Sequence, residues 1–128
     1  MKRVIIAVVS TALAVTIACF GYWRFVRICD RLESDVLLLL EVAETENVDP
    51  AQLKEHAARL AEDWGNAEKH LDILIQHAET DELDIMMRAL GQLSETESAE
   101  ARAEYLHEIL YRIQHLRETE APNLQNIL

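Results

Sequence analysis

The pattern of apolar and polar positions changes character at residue 24. Val4 to Trp23 holds no charged residue, with Lys2 and Arg3 before it and Arg24 and Arg27 after it. As a helix, such a run rises about 30 Å, the thickness of a bilayer's hydrocarbon core. Tyr22 and Trp23 close the run where an aromatic belt meets the headgroups. Beyond it the apolar residues become periodic. Phe25, Cys29, Leu32, Val36, Leu39 and Ala43 follow a 4-3-4-3-4 spacing, the a/d seam of a coiled coil. The helix of the span therefore continues past the membrane and fades near Glu46-Asn47. Val36 to Leu40 is apolar all round, which predicts cover on every side.

Asp49-Pro50 reads as an N-cap followed by proline at the first helical position, with Gln52 placed to close a capping box. The helix it opens carries Leu53, Ala57, Leu60, Trp64, Ala67, Leu71, Leu74 and Ala78, the most regular seam in the chain. Gly65 interrupts it, and room for a close helix beside Trp64 is the expected reason. Thr80 and Asp81 are expected to cap a third segment with Leu83, Met86, Leu90 and Leu93 inward. Ser94 to Ser98 is a polar break with helix-start chemistry. A fourth helix follows to about Glu118, with Leu106, Ile109, Ile113 and Leu116 inward and Pro122 as its stop.

Short connections between amphipathic helices predict antiparallel neighbours. The expected fold is all-α: an N-terminal transmembrane helix continuing into an antiparallel helical bundle. Residues 1–24 are the anchor, 25–121 the acidic bundle and 122–128 a C-terminal tail. Composition agrees, because half the residues are apolar yet only 5% are aromatic, with three glycines and two prolines. That favours helix over sheet.

Charge sharpens the division at the membrane. From Leu32 onward there are 7 Lys and Arg against 22 Asp and Glu, a net of −15. Such a surface repels nucleic acid, so no nucleic-acid partner is expected. Cys19 and Cys29 would lie about 15 Å apart on one helix, too far to bridge each other.

Three fates compete for the N-terminus. Thr16-Ile17-Ala18 has the small-residue spacing of a signal-peptidase site, and Thr16-Ile17-Ala18-Cys19 loosely resembles a lipobox. After either cut the chain would begin with apolar, helical residues instead of a polar start. An uncleaved single-pass signal-anchor is the favoured reading. Lys2 and Arg3 on one side nearly balance Arg24, Arg27 and Arg31 on the other. The compact basic start favours a cytoplasmic N-terminus and an extracytoplasmic domain at the cell membrane.

The chain also resembles a bacterial family of unknown function, small single-pass proteins with an N-terminal span and an all-helical domain. The resemblance rests on the Met-Lys-Arg start, the Trp64 helix and His77 shortly before Asp81-Glu82-Leu83-Asp84-Ile85. It ends on Asn123-Leu124-Gln125-Asn126-Ile127-Leu128, similar to a terminal Leu-x-Asn-Ile-Leu. It covers the whole chain and implies no activity.

Few residues offer chemistry. Glu104-x-x-His107 is one copy of a motif that di-iron bundles need twice. His56, Asp63, His70 and His77 recur every seven residues along one stripe beside the apolar seam. Polar residues normally occupy such a flank, so no metal site is assigned. Ser10, Ser34, Ser94 and Ser98 lack a nucleophile elbow, and there is no glycine-rich phosphate loop. The carboxylates sit on exposed faces, where nothing should perturb them. No catalytic residue and no cofactor are expected, and the protein is not read as an enzyme. The expected role is protein–protein interaction or scaffolding at the membrane, with a protein partner or a homodimer joined along the Cys29 seam. The alternative is a ligand- or metal-binding helical domain of the sensor type.

Overall fold

The computed structural model describes residues 1–74 and 77–126, with side chains described for 1–71 and 80–118. Four α-helices follow one another: α1 (Lys2–Ala43), α2 (Pro50–Leu74), α3 (His77–Arg88) and α4 (Ala99–Asn126), with a 3₁₀ turn (Ala89–Gln92) after α3. No strand occurs among the described residues.

Local chemistry sets the boundaries. Asp49 caps α2, its Oδ1 accepting from the Ala51 N–H at 3.0 Å. Pro50 follows at the first position, where a missing N–H does no harm. Ser98 caps α4, its Oγ accepting from the Ala101 N–H at 3.1 Å. Inside the Ser94–Ser98 break, Ser94 Oγ accepts from the Thr96 N–H at 3.1 Å.

α1 has two unlike halves. Its N-terminal apolar half makes it the one described helix long and apolar enough to cross a membrane, and none of that stretch is buried in the protein. Its second half supplies Phe25, Cys29, Leu32, Val36, Leu39 and Ala43 to the core, every one of them buried. Leu53, Leu60, Trp64 and Leu71 of α2, and Leu106, Ile109, Ile113 and Leu116 of α4, join them in one cluster. α1 packs against α2 and α4, and α3 packs against α2 and α4 as well. Polar pairs run alongside the core: Arg31 with Asp63, Arg117 with Asp30 and Glu33, and Arg112 with Glu82.

Several expectations need correction. Leu37 and Leu38 are 47% and 42% exposed, so the all-apolar run is covered on one side only. Neither α2 nor α4 lies over that outer face. α3 begins at His77, and Thr80 is a buried residue inside it instead of a cap. Met87 takes the inward position assigned to Met86, with Leu83 and Leu90 on either side. Met86 is only partly buried beside it, packed against the same core. A Cβ at Gly65 would meet nothing within 4 Å, so the glycine opens no room for a close helix. α4 runs through Pro122 to Asn126, well beyond Glu118. Proline removes one hydrogen bond and bends a helix, and here it does not end it. The side chains of Leu74, His77 and Ala78, and residues 127–128, lie outside the described set.

Candidate functional site

The polar chemistry of the domain gathers in two places at opposite ends of the core. The first is a cleft between α1 and α2 just beyond the apolar span. It encloses about 210 Å³ and is lined by Arg24, Ile28, Arg31, Asp63, Asn66 and His70 among others. Arg24 and Arg31 are seven residues apart, two turns on one face of α1. Asp63 and His70 repeat that spacing on α2. The stripe beside the α2 seam therefore meets the arginine stripe of α1, as two facing helices dictate. Arg24 Nη2 lies 3.0 Å from His70 Nε2. Arg31 grips Asp63 with two nitrogens, Nε and Nη2, each 3.2 Å from a carboxylate oxygen. Arg27 turns aside and lies over the Trp23 ring, 4.9 Å from its centroid.

Beside this pair sits a second carboxyl, Asp35, whose Oδ2 is buried and meets no hydrogen-bond partner among the described residues. Burial, then the hydrogen bond to Asp63 and its negative charge, push the Asp35 carboxyl up to about 7. Arg31 and Arg59 pull it down but do not prevail. Two carboxyls in contact cannot both ionise cheaply, so one holds the proton. This overturns the expectation that no carboxylate in the chain is perturbed.

The second place is at the far end. Arg102, in the first turn of α4, is 0% exposed. Its Nε donates to the Ala43 carbonyl and its Nη2 to the Thr45 carbonyl, each at 3.0 Å. Its Nη1 donates to the carbonyls of Ser94 and Glu97. These include the last carbonyl of α1, which has no helical partner. A cation there also answers the negative end of the helix dipole. Sequence reading passed over Arg102, yet a signal was present. Arg102 stands four residues before Leu106, in register with the inward seam of α4.

The remaining candidates stay apart. His107 is exposed and 3.7 Å from Glu44, while Glu104 is exposed one turn away. His115 stacks on Tyr111. No group of three or more His, Cys, Asp or Glu side chains placed to hold a metal occurs among the described residues. Cys29 is buried in the chain's own core, and burial raises its thiol to about 11. The seam expected to join two copies is thus filled from within one chain. Trp64 is 2% exposed and its Nε1 donates to Asp84 Oδ1 at 3.2 Å. Asp84 is held in turn by Arg88 at 2.8 Å. Tyr105 closes the end of α3 by donating its hydroxyl to the Met86 carbonyl at 2.6 Å.

No curated protein and no solved structure matches the chain. A family profile does, over residues 19–127, which is the helical domain together with the end of the apolar run. The chain belongs to the family described as "Domain of unknown function (DUF4363)".

Proposed function

We propose that this protein is a single-pass membrane-anchored helical domain that acts through protein–protein interaction or as a scaffold, without catalysis of its own. The observation that carries the reading is the continuity of α1. One helix offers a bare apolar surface over its first half and a core-forming seam over its second. A bare apolar surface of that length is satisfied by lipid. The Tyr22-Trp23 belt and the flanking basic residues mark its two ends. The cross-helix pairs support an antiparallel bundle, because rising positions on α1 meet falling positions on α2 and α4. The domain is placed outside the cytoplasm, on the strength of the compact basic start.

An interaction role is supported by Leu37 and Leu38, exposed side by side on the outer face of α1. A homodimer would use such a face, since the Cys29 seam is occupied. Washing membranes with carbonate or high salt should leave the protein in the membrane fraction. Release, or a mature N-terminus at Cys19 or Phe20, overturns the anchor. Protease added outside intact cells should digest the domain, and full protection would reverse the orientation.

A further inference from the structure

We propose that the cleft between α1 and α2 binds the phosphate of a phospholipid headgroup, with Arg24, His70 and Arg31 as its ligands. The proposal rests on the membrane-anchored reading above. It starts from an imbalance. The chain has 23 Asp and Glu against 12 Lys and Arg, yet among the described residues Arg24 forms no ion pair with a carboxylate. Its recorded partner is His70, another basic group. As the donor, Arg24 leaves the ring proton of His70 on Nδ1, a second donor. Arg31 spends Nε and Nη2 on Asp63 and keeps Nη1 free. The Asn66 amide lies on the same wall. A guanidinium presents its donors in a planar fork that matches two phosphate oxygens.

Size and height fit the same ligand. A cleft of about 210 Å³ has room for roughly seven waters, enough for a phosphodiester with part of its glycerol. Ile28 offers that glycerol an apolar floor. The headgroup layer is about 5 to 8 Å deep on each side of the hydrocarbon core. Arg24 follows directly on Tyr22-Trp23 and stands within that layer, while the Arg31 backbone, about 10 Å higher along the helix, stands just beyond it, within reach of its long side chain. Arg27, stacked on Trp23, holds a further positive charge at the lower level. Asp63 is the one carboxylate lining the cleft, and Arg31 already neutralises it. The acidic remainder of the domain repels anionic lipid, which confines binding to this rim.

The test uses the full chain in detergent, with thermal unfolding followed at matched ionic strength. Four probes are titrated: dihexanoyl phosphatidylglycerol, dihexanoyl phosphatidylcholine, dihexanoylglycerol and inorganic phosphate. Both phospholipids should raise Tm, phosphatidylglycerol more. Arg24→Gln should weaken their binding about tenfold or more, the scale of one charged hydrogen bond. Arg24→Lys should fall between, keeping the charge and losing the fork. Arg59→Gln, outside the cleft, should bind as wild type. An equal shift from dihexanoylglycerol would show that the phosphate is not recognised. An equal shift from inorganic phosphate would assign the cleft to a soluble anion and overturn the lipid. Unchanged binding in both Arg24 variants would overturn the site. Carbonate washing of wild type keeps the two readings apart. Release sinks the anchor, whereas retention without a phosphate-dependent shift sinks the cleft alone.

Discussion

The two halves of α1 are one helix with two kinds of surface. From Val4 to Trp23 the apolar residues face every direction, and none of them is buried in the protein, though Ala18 and Tyr22 are partly covered. From Phe25 to Ala43 they fall on a seam, and the protein covers every seam position. The backbone is alike across the boundary; the first half carries no charged residue, whereas the second interleaves its seam with Arg27, Asp30, Arg31, Glu33, Asp35 and Glu41. Apolar residues all round suit a surrounding that is apolar on every side, whereas a seam calls for specific neighbours. Polar groups mark the same divide. At the membrane end Arg24 and Arg31 line an open cleft, and at the far end Arg102 is closed over by carbonyls. The first half of α1 is thus left bare by the domain, and the second half is fixed by packing.

The sharpest way to break this comparison is to empty one site in each half. Trp64→Ala removes the largest α2 contribution to the core and its bond to Asp84. The expected loss is about 3 to 5 kcal/mol, a large share of the stability of a small domain. Leu13→Ala, exposed within the span, should leave the unfolding of the helical domain unchanged. Calorimetry of both variants in detergent decides the matter. Equal losses would show that the span packs on the domain and that the two halves are not separate.

Arg102→Met asks whether the far end is held by charge and hydrogen bonds or by bulk. Methionine fills much of the space but donates to none of the four carbonyls. Stranding them should cost about 2 to 4 kcal/mol. Amide exchange should quicken first at the end of α1 and the start of α4. A variant as stable as wild type would mean that those carbonyls find other partners.

The seams of α1, α2 and α4 were legible because 3-4 spacing encodes a helix and its buried stripe together. Phe25 to Ala43, Leu53 to Leu71 and Leu106 to Leu116 all fall inward as read. Periodicity does not say which neighbour covers which flank, so Leu37 and Leu38 were misplaced. In α3 a 3-4-3 and a 4-3 reading from Leu83 are equally helical, and periodicity alone does not choose between Met86 and Met87. Asp35 was unreadable because its perturbation needs Asp63, 28 residues away on another helix. The cleft was half legible. The His56–Asp63–His70 stripe was visible, but that Arg24 and Arg31 would face it depends on how α1 and α2 pack.

Asp35 offers a smaller, pH-dependent test at the boundary itself. Its folded carboxyl is raised to about 7 from an ordinary 3.8. The folded chain therefore holds a proton that the unfolded chain releases. The stabilisation is complete below about 3.8 and is lost progressively as pH rises from there to about 7. Asp35→Asn keeps a neutral donor to Asp63 at every pH. It should match wild type near pH 4 and exceed it near pH 8, by on the order of 1 kcal/mol after solvent screening. Parallel stability curves from pH 4 to 8 would show that the two carboxyls do not share a proton.

The smallest effect compares two glycines, one in each half of the molecule. Gly65 lies inside α2 and Gly21 inside the apolar half of α1, and a Cβ at either meets nothing within 4 Å. Alanine at a compatible helical position stabilises by about 0.4 to 1 kcal/mol, chiefly by narrowing the unfolded chain. Gly65→Ala should gain that amount, since α2 unfolds with the domain. Gly21→Ala should gain nothing in the same transition, because a helix held in lipid stays helical when the domain melts. Calorimetry of the two single variants in one detergent reads the difference directly. A comparable rise from Gly21→Ala would mean that the span unfolds with the domain. A loss from Gly65→Ala would mean that something does approach Trp64 along that face, and the natural suspect is a partner absent from the isolated chain.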